Sequence, residues 1–78
     1  MNLRQKYMEM YPNDDMGSDI RPDVSAKDLY QALESGISPY DTIGVLDSIV
    51  RERCFDFVAQ EFEVGYDVIY DLWLKNNK

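Results

Sequence analysis

An all-α fold, a compact small domain of four or five helices, is predicted by three observations. Apolar side chains recur at intervals of three and four in successive segments, capping residues stand at the starts of those segments, and no alternating strand pattern of useful length occurs. The 78 residues form one domain, 1–78, near the size at which a single core supplies only about 3–5 kcal/mol of net stability. A composition that is 45% hydrophobic and 13% aromatic favours a packed core over a disordered chain.

The first helix is expected over residues 2–11. Leu3, Tyr7, Met10 and Tyr11 make one apolar face, Asn2 is a plausible cap, and Pro12 ends the helix by disfavouring helical backbone at Tyr11. Residues 12–24 are dense in turn formers and acids and read as a solvated acidic loop, with Met16 and Ile20 available to pin it to the core. Asn13, Asp15, Gly17 and Asp19 place some oxygen ligands at alternate positions. The glycine and bidentate glutamate of a calcium loop are missing, so no metal is expected.

A second helix should run from Ala26 to about Ser35, with Ser25 as cap, Asp28 in the first turn and Gly36 ending it. Its inward face is Leu29, Ala32 and Leu33, with Tyr30 on the flank. Ser38-Pro39-Tyr40-Asp41 is a helix start with cap, proline and acid in order, and a short helix should follow until Gly44.

The longest helix is expected from about Leu46 through Phe62, with Leu46, Ile49, Val50, Cys54, Phe57, Val58 and Phe62 on a broad apolar face. Glu63-Val64-Gly65 then connects it to a last helix from about Tyr66 through Leu74. Ala59, Val64, Ile69 and Leu72 are spaced so that the two helices share a seam, as in a helix-turn-helix. The expected core is Leu46, Val50, Cys54, Phe57, Val58, Ile69, Leu72 and Trp73, and truncating Phe57 to alanine should cost about 3–5 kcal/mol.

Chemistry-bearing patterns are sparse. There is no histidine, which removes the usual general base and the commonest metal ligand, and one cysteine, which excludes an internal disulfide. Cys54 falls among apolar neighbours and reads as structural, and Ser48 has no activating base. Asp14 and Asp15 are adjacent carboxylates on a loop, where they stay hydrated. No glycine-rich phosphate loop exists. The chain is therefore not expected to be an enzyme, and no cofactor or metal is expected.

The net charge is −7 and the pI near 4.3. Such acidity opposes nucleic-acid phosphates and attracts basic surfaces, including those that normally hold DNA. No apolar run approaches the roughly 20 residues of a membrane span. The stretch after Met1-Asn2-Leu3-Arg4-Gln5-Lys6 is not apolar, so a cytoplasmic protein is expected. Arg51-Glu52-Arg53 is the one basic cluster. Local ion pairs, Asp47 with Arg51 and Arg53 with Asp56, account for it.

Tyr66, Tyr70 and Trp73 align on one stripe of the last helix, with Trp73 assigned to the core and Tyr70 left open between core, its phenol at the rim, and an exposed partner anchor. Asp67 and Asp71 lie one turn apart beside Tyr70. Together Tyr66, Asp67, Tyr70 and Asp71 are the candidate partner-binding residues.

Two segments, Asp47-Ser48-Ile49-Val50-Arg51-Glu52-Arg53-Cys54-Phe55 and Tyr66-Asp67-Val68-Ile69-Tyr70-Asp71-Leu72-Trp73-Leu74, resemble small uncharacterised acidic proteins of phages and mobile elements in Gram-positive bacteria. The resemblance covers residues 40–75 and carries no assigned activity. Ala59 to Trp73 also resembles a helix-turn-helix, departing from it at Glu63, where glycine is common, and in the acids of its second helix. The leading functional expectation is a non-catalytic protein–protein interaction module, an adaptor or inhibitor, whose partner presents a basic surface. The alternatives are a helix-turn-helix DNA-binding regulator and an acidic inhibitor of a nucleic-acid-binding host defence protein. A monomer and a homodimer both fit, and binding to generic duplex DNA or to a membrane is not expected.

Overall fold

The computed structural model describes residues 2–76. The α-helices are α1 (Leu3–Met10), α2 (Ala26–Glu34), α3 (Pro39–Ile43), α4 (Ser48–Glu61) and α5 (Tyr66–Asn76), with a 3-10 turn at Asp15–Asp19 between α1 and α2. Among the described residues there is no strand, and the single bridge joins Asn2 to Ser25. The all-α small domain expected from the sequence is present.

Local chemistry sets the helix ends. Asn2 and Gln5 form a reciprocal capping box on α1, and Ser25 and Asp28 form another on α2. Asp47 starts α4 by accepting from the amides of Ile49 and Val50 at 2.9 and 3.1 Å. Ser38 starts α3 differently: its side chain makes no cap, and its carbonyl accepts from the Thr42 amide and hydroxyl. Gly44, at φ +81°, closes α3 in the left-handed region.

The ends of α2 and α4 are both Schellman turns, but different residues occupy the left-handed position. After α2 it is Gly36, with Ile37 N–H donating back to the Ala32 carbonyl at 2.9 Å. After α4 it is Glu63, at φ +57°, with Val64 N–H donating to the Ala59 carbonyl at 3.0 Å. A side chain in that region costs about 1–2 kcal/mol. The α4–α5 connection therefore holds because packing on both sides determines it.

Helix α4 is the axis of the molecule and contacts α1, α2, α3 and α5. Val50, Cys54, Phe55, Phe57, Val58 and Ala59 are all buried along it. Surrounded in this way, α4 buries most of its circumference rather than one stripe. Leu3 and Tyr7 from α1, Leu29 and Leu33 from α2, Ile43 from α3 and Ile69 from α5 complete the core.

Several expected placements are corrected. Leu46 is not core: it precedes the α4 cap and is 88% exposed. Ile49 and Phe62, assigned to the apolar face of α4, are also exposed, whereas Phe55 is fully buried. Leu72 and Trp73 are half-buried. Residues 12–24 are not simply a solvated loop. Gly17 packs under Tyr7 and Met8, Ile20 and Val24 enter the core, and Met16 packs against it. Arg4 donates to the Ser18 carbonyl at 2.8 Å and holds the turn against α1.

Candidate functional site

The two arginines of the basic cluster take different routes, Arg51 buried and Arg53 half-buried, and neither makes the local ion pair expected of it. Asp47 is engaged as the α4 cap, and Asp56 accepts from Gln60 Nε2 at 3.0 Å. Arg53 instead crosses to the segment after α1. Its Nη1 donates to Asp14 Oδ2 and to the Tyr7 hydroxyl, both at 2.8 Å, while the Tyr7 hydroxyl donates to Asp14 Oδ2 at 2.5 Å. The guanidinium also lies 3.9 Å over the Tyr11 ring. This three-way clasp ties α4, α1 and the 3-10 turn together.

The clasp is coupled to pH. The Tyr7 hydroxyl, the Met16 amide and Arg53 together hold the Asp14 carboxyl below its usual range, with the tyrosine bond the largest influence. Tyr7 itself is pushed upward, first by burial and then by Asp14. A lowered folded-state pKa contributes stability above the unfolded value of about 4, and that contribution is lost as pH falls through the folded value. Asp14→Asn is therefore expected to flatten the fall of the thermal midpoint below about pH 4. Parallel wild-type and variant curves through the acid range would show that Asp14 carries no linkage.

Arg51 turns inward, to 5% exposure, into a nest of aromatic rings. Its guanidinium carbon lies 4.4 Å from the Trp73 centroid, 4.8 Å from Phe55 and 5.8 Å from Tyr70. One ion pair reaches it, from exposed Glu52 at 3.5 Å. Its Nε and Nη1, and the Trp73 indole nitrogen, are buried without a hydrogen-bond partner among the described residues. The arginine thus forms the floor beneath the α5 aromatics. The sequence signal was the stripe itself, three rings at helical spacing facing a helix with an arginine.

Of the candidate partner-binding residues, Tyr66 and Tyr70 are half-buried, with ring centroids 6.0 Å apart and nearly parallel, and Asp67 and Asp71 are exposed beside them. Burial raises Tyr66, against an opposing pull from Arg51. Trp73 extends the row, edge-on to Tyr70 at 5.7 Å, and Tyr40 of α3 stands edge-on to Trp73 at 6.3 Å. All four candidates lie on α5, the rings half-buried and the acids exposed, and Tyr40 of α3 joins the ring row, which sequence spacing had no means of placing there.

With Arg51 buried and Arg53 half-buried in its pair with Asp14, Lys75 is the one fully exposed cation on the described part of the α4–α5 pair. The exposed acids there are Glu52, Asp56, Glu61, Glu63, Asp67 and Asp71. Cys54 is buried, and desolvation pushes its thiol up to about 12, far from a thiolate nucleophile. Among the described residues no group of three or more carboxylate or cysteine side chains converges as a metal site. No described helix is long and apolar enough to cross a membrane.

No protein-family model, curated protein or solved structure matches the chain.

Proposed function

We propose that the protein is a non-catalytic interaction module that docks through α5 onto a basic surface of another protein. The observation that carries this reading is the charge left outside: the fold buries Arg51, pairs half-buried Arg53 with Asp14, and leaves Asp67 and Asp71 exposed on the helix that carries half-buried Tyr66 and Tyr70. Aromatic edges supply contact area at low conformational cost, and the acids steer the encounter. An inhibitor that occupies the DNA-holding surface of a nucleic-acid-binding protein is a special case with the same chemistry. A helix-turn-helix regulator built on the α4–α5 pair is the alternative reading. A regulator that reads DNA needs cations on its second helix, however, and α5 presents acids.

Affinity capture from the source organism, followed by association kinetics with the purified partner, tests the proposal. Reversing Asp67 and Asp71 to lysine should slow association by about tenfold and flatten its salt dependence, at a stability cost of about 1 kcal/mol because Asp67 stands in the first turn of α5. Duplex DNA titrated at physiological salt should give no anisotropy change. Unaltered association by the double variant, or micromolar DNA binding that weakens steeply with salt, sinks the reading.

A further inference from the structure

A depression of about 460 Å³, to which α5 contributes no side chain, lies where α1, the start of α2 and the last turns of α4 meet. Its volume falls in the range of small-molecule sites. Leu3, Ala26 and Phe57 form the floor, none more than 4% exposed, and Lys6, Gln60 and Glu61 stand at the rim. Helical spacing sets the two walls. Leu3 and Lys6 share a face of α1, while Phe57, Gln60 and Glu61 share a face of α4, and the two helices are in contact.

The polar groups of the rim differ in what they already hold. Asn2, at the edge, is engaged in the fold: its side-chain amide donates to the Pro22 carbonyl at 2.6 Å, and its side-chain oxygen accepts from the Gln5 amide at 2.8 Å. The Gln60 side-chain nitrogen donates to Asp56, which leaves Gln60 Oε1 to accept from elsewhere. Lys6 and Glu61 have no hydrogen bond or ion pair among the described residues, whose two salt bridges belong to Arg51 and Arg53. The Lys6 ammonium stands 6.0 Å from the centre of the Phe57 ring. Two opposite charges therefore overlook one apolar floor from facing helices and do not pair with each other. Lys27 and Asp28, next to Ala26 in the chain, do not line the depression, and Asp28 is taken up in the α2 capping box.

We infer that this depression binds a free apolar α-amino acid, with its carboxylate on Lys6, its ammonium on Glu61 and the Gln60 carbonyl, and its side chain on the floor. The site is separate from docking through α5 and adds a small-molecule ligand to that reading. The mixed charge of the rim is what selects the ligand. A simple anion meets Glu61, a simple cation meets Lys6, and an uncharged apolar molecule dries both charges without pairing either. A peptide end carries one of the two charges beside its terminal side chain. A zwitterion answers both at once, each through a charge-assisted bond.

Leucine is the probe, and isocaproate and isoamylamine are the same skeleton without its ammonium and without its carboxylate. Titrated into the isotope-labelled full chain, leucine should move the backbone amide resonances of Leu3, Lys6, Phe57 and Glu61 saturably, and each analogue should bind at least about tenfold more weakly. Lys6→Met and Glu61→Gln should each weaken leucine about five- to tenfold, with thermal midpoints close to wild type because neither charge has a partner to lose. Isocaproate binding as tightly as leucine would reduce the site to Lys6 alone and overturn the assignment. Shifts that fail to saturate in the low millimolar range overturn it too, as do shifts that persist undiminished in both variants. So does a thermal double-mutant cycle in which Lys6 and Glu61 are coupled, because the two would then already neutralise each other.

Discussion

Phe55→Ala is expected to unfold most of the population at room temperature. Phe55 is fully buried midway along α4, edge-on to Trp73 at 5.5 Å, 6.2 Å from Tyr66 and 4.8 Å from the Arg51 guanidinium. Truncating a buried phenylalanine costs about 3–5 kcal/mol, from lost transfer energy and from the cavity left behind. A domain of this size has about that much net stability. The cavity would open where Arg51 already has unpartnered N–H groups, so the site cannot collapse without moving a charge. Phe57→Ala should be somewhat milder. Phe57 faces Tyr7 and Tyr11 and lines an open depression of about 460 Å³, where side chains have room to close in. Far-UV circular dichroism and a urea transition on each variant decide the matter. A cooperative transition for Phe55→Ala at the wild-type midpoint would mean that the α4–α5 seam is not the keystone of the fold.

Legibility from sequence followed the range of the interaction concerned. Asn2, Ser25, Gly36 and Gly44 mark helix ends through bonds to backbone a few residues away, and Pro39 does so through its fixed φ; their positions were readable because nothing distant competes with them. The orientation of α4 was not readable in the same way. Phe57, Val58 and Ala59 are consecutive and all buried, so the helix has no dry stripe whose centre periodicity could find. Counting Leu46 and Ile49 into the apolar face displaced the expected face toward solvent and left Phe55 off it. Arg53 failed the local rule for a related reason. Asp56 was within helical reach, but Asp14, distant in sequence, offers a carboxylate already oriented by Tyr7 and Met16. The acidic side of the candidate site was legible because Asp67 and Asp71 share a helix. The place of Tyr40 was not, because a tertiary contact between α3 and α5, with Trp73, creates it.

Arg51→Met is expected to leave stability within about 1 kcal/mol of wild type, or to raise it, whereas Arg51→Ala should lower it by about 2–4 kcal/mol. The balance at Arg51 explains both signs. Withdrawing a guanidinium from water costs several kcal/mol, and each buried N–H without an acceptor adds about 1–3 kcal/mol. Against that stand cation–π contacts of up to about 2 kcal/mol each with Trp73, Phe55 and a more distant Tyr70. The pair with Glu52 adds under about 1 kcal/mol, because Glu52 is 57% exposed and solvent screens it. The charge therefore contributes close to nothing net. The volume that Arg51 fills under the rings contributes a great deal. Methionine retains most of that volume, is flexible enough to follow the cavity, and places sulfur against aromatic rings favourably. Alanine leaves the rings of Tyr70 and Trp73 unsupported. Arg51→Ala consequently disturbs the Tyr70–Trp73 edge from beneath, and any loss of partner binding it causes is a loss of shape rather than of a surface cation. Urea midpoints for the two variants separate the effects. A methionine variant that falls as far as the alanine variant would show that the cation itself, held by three aromatic faces, stabilises the α4–α5 seam.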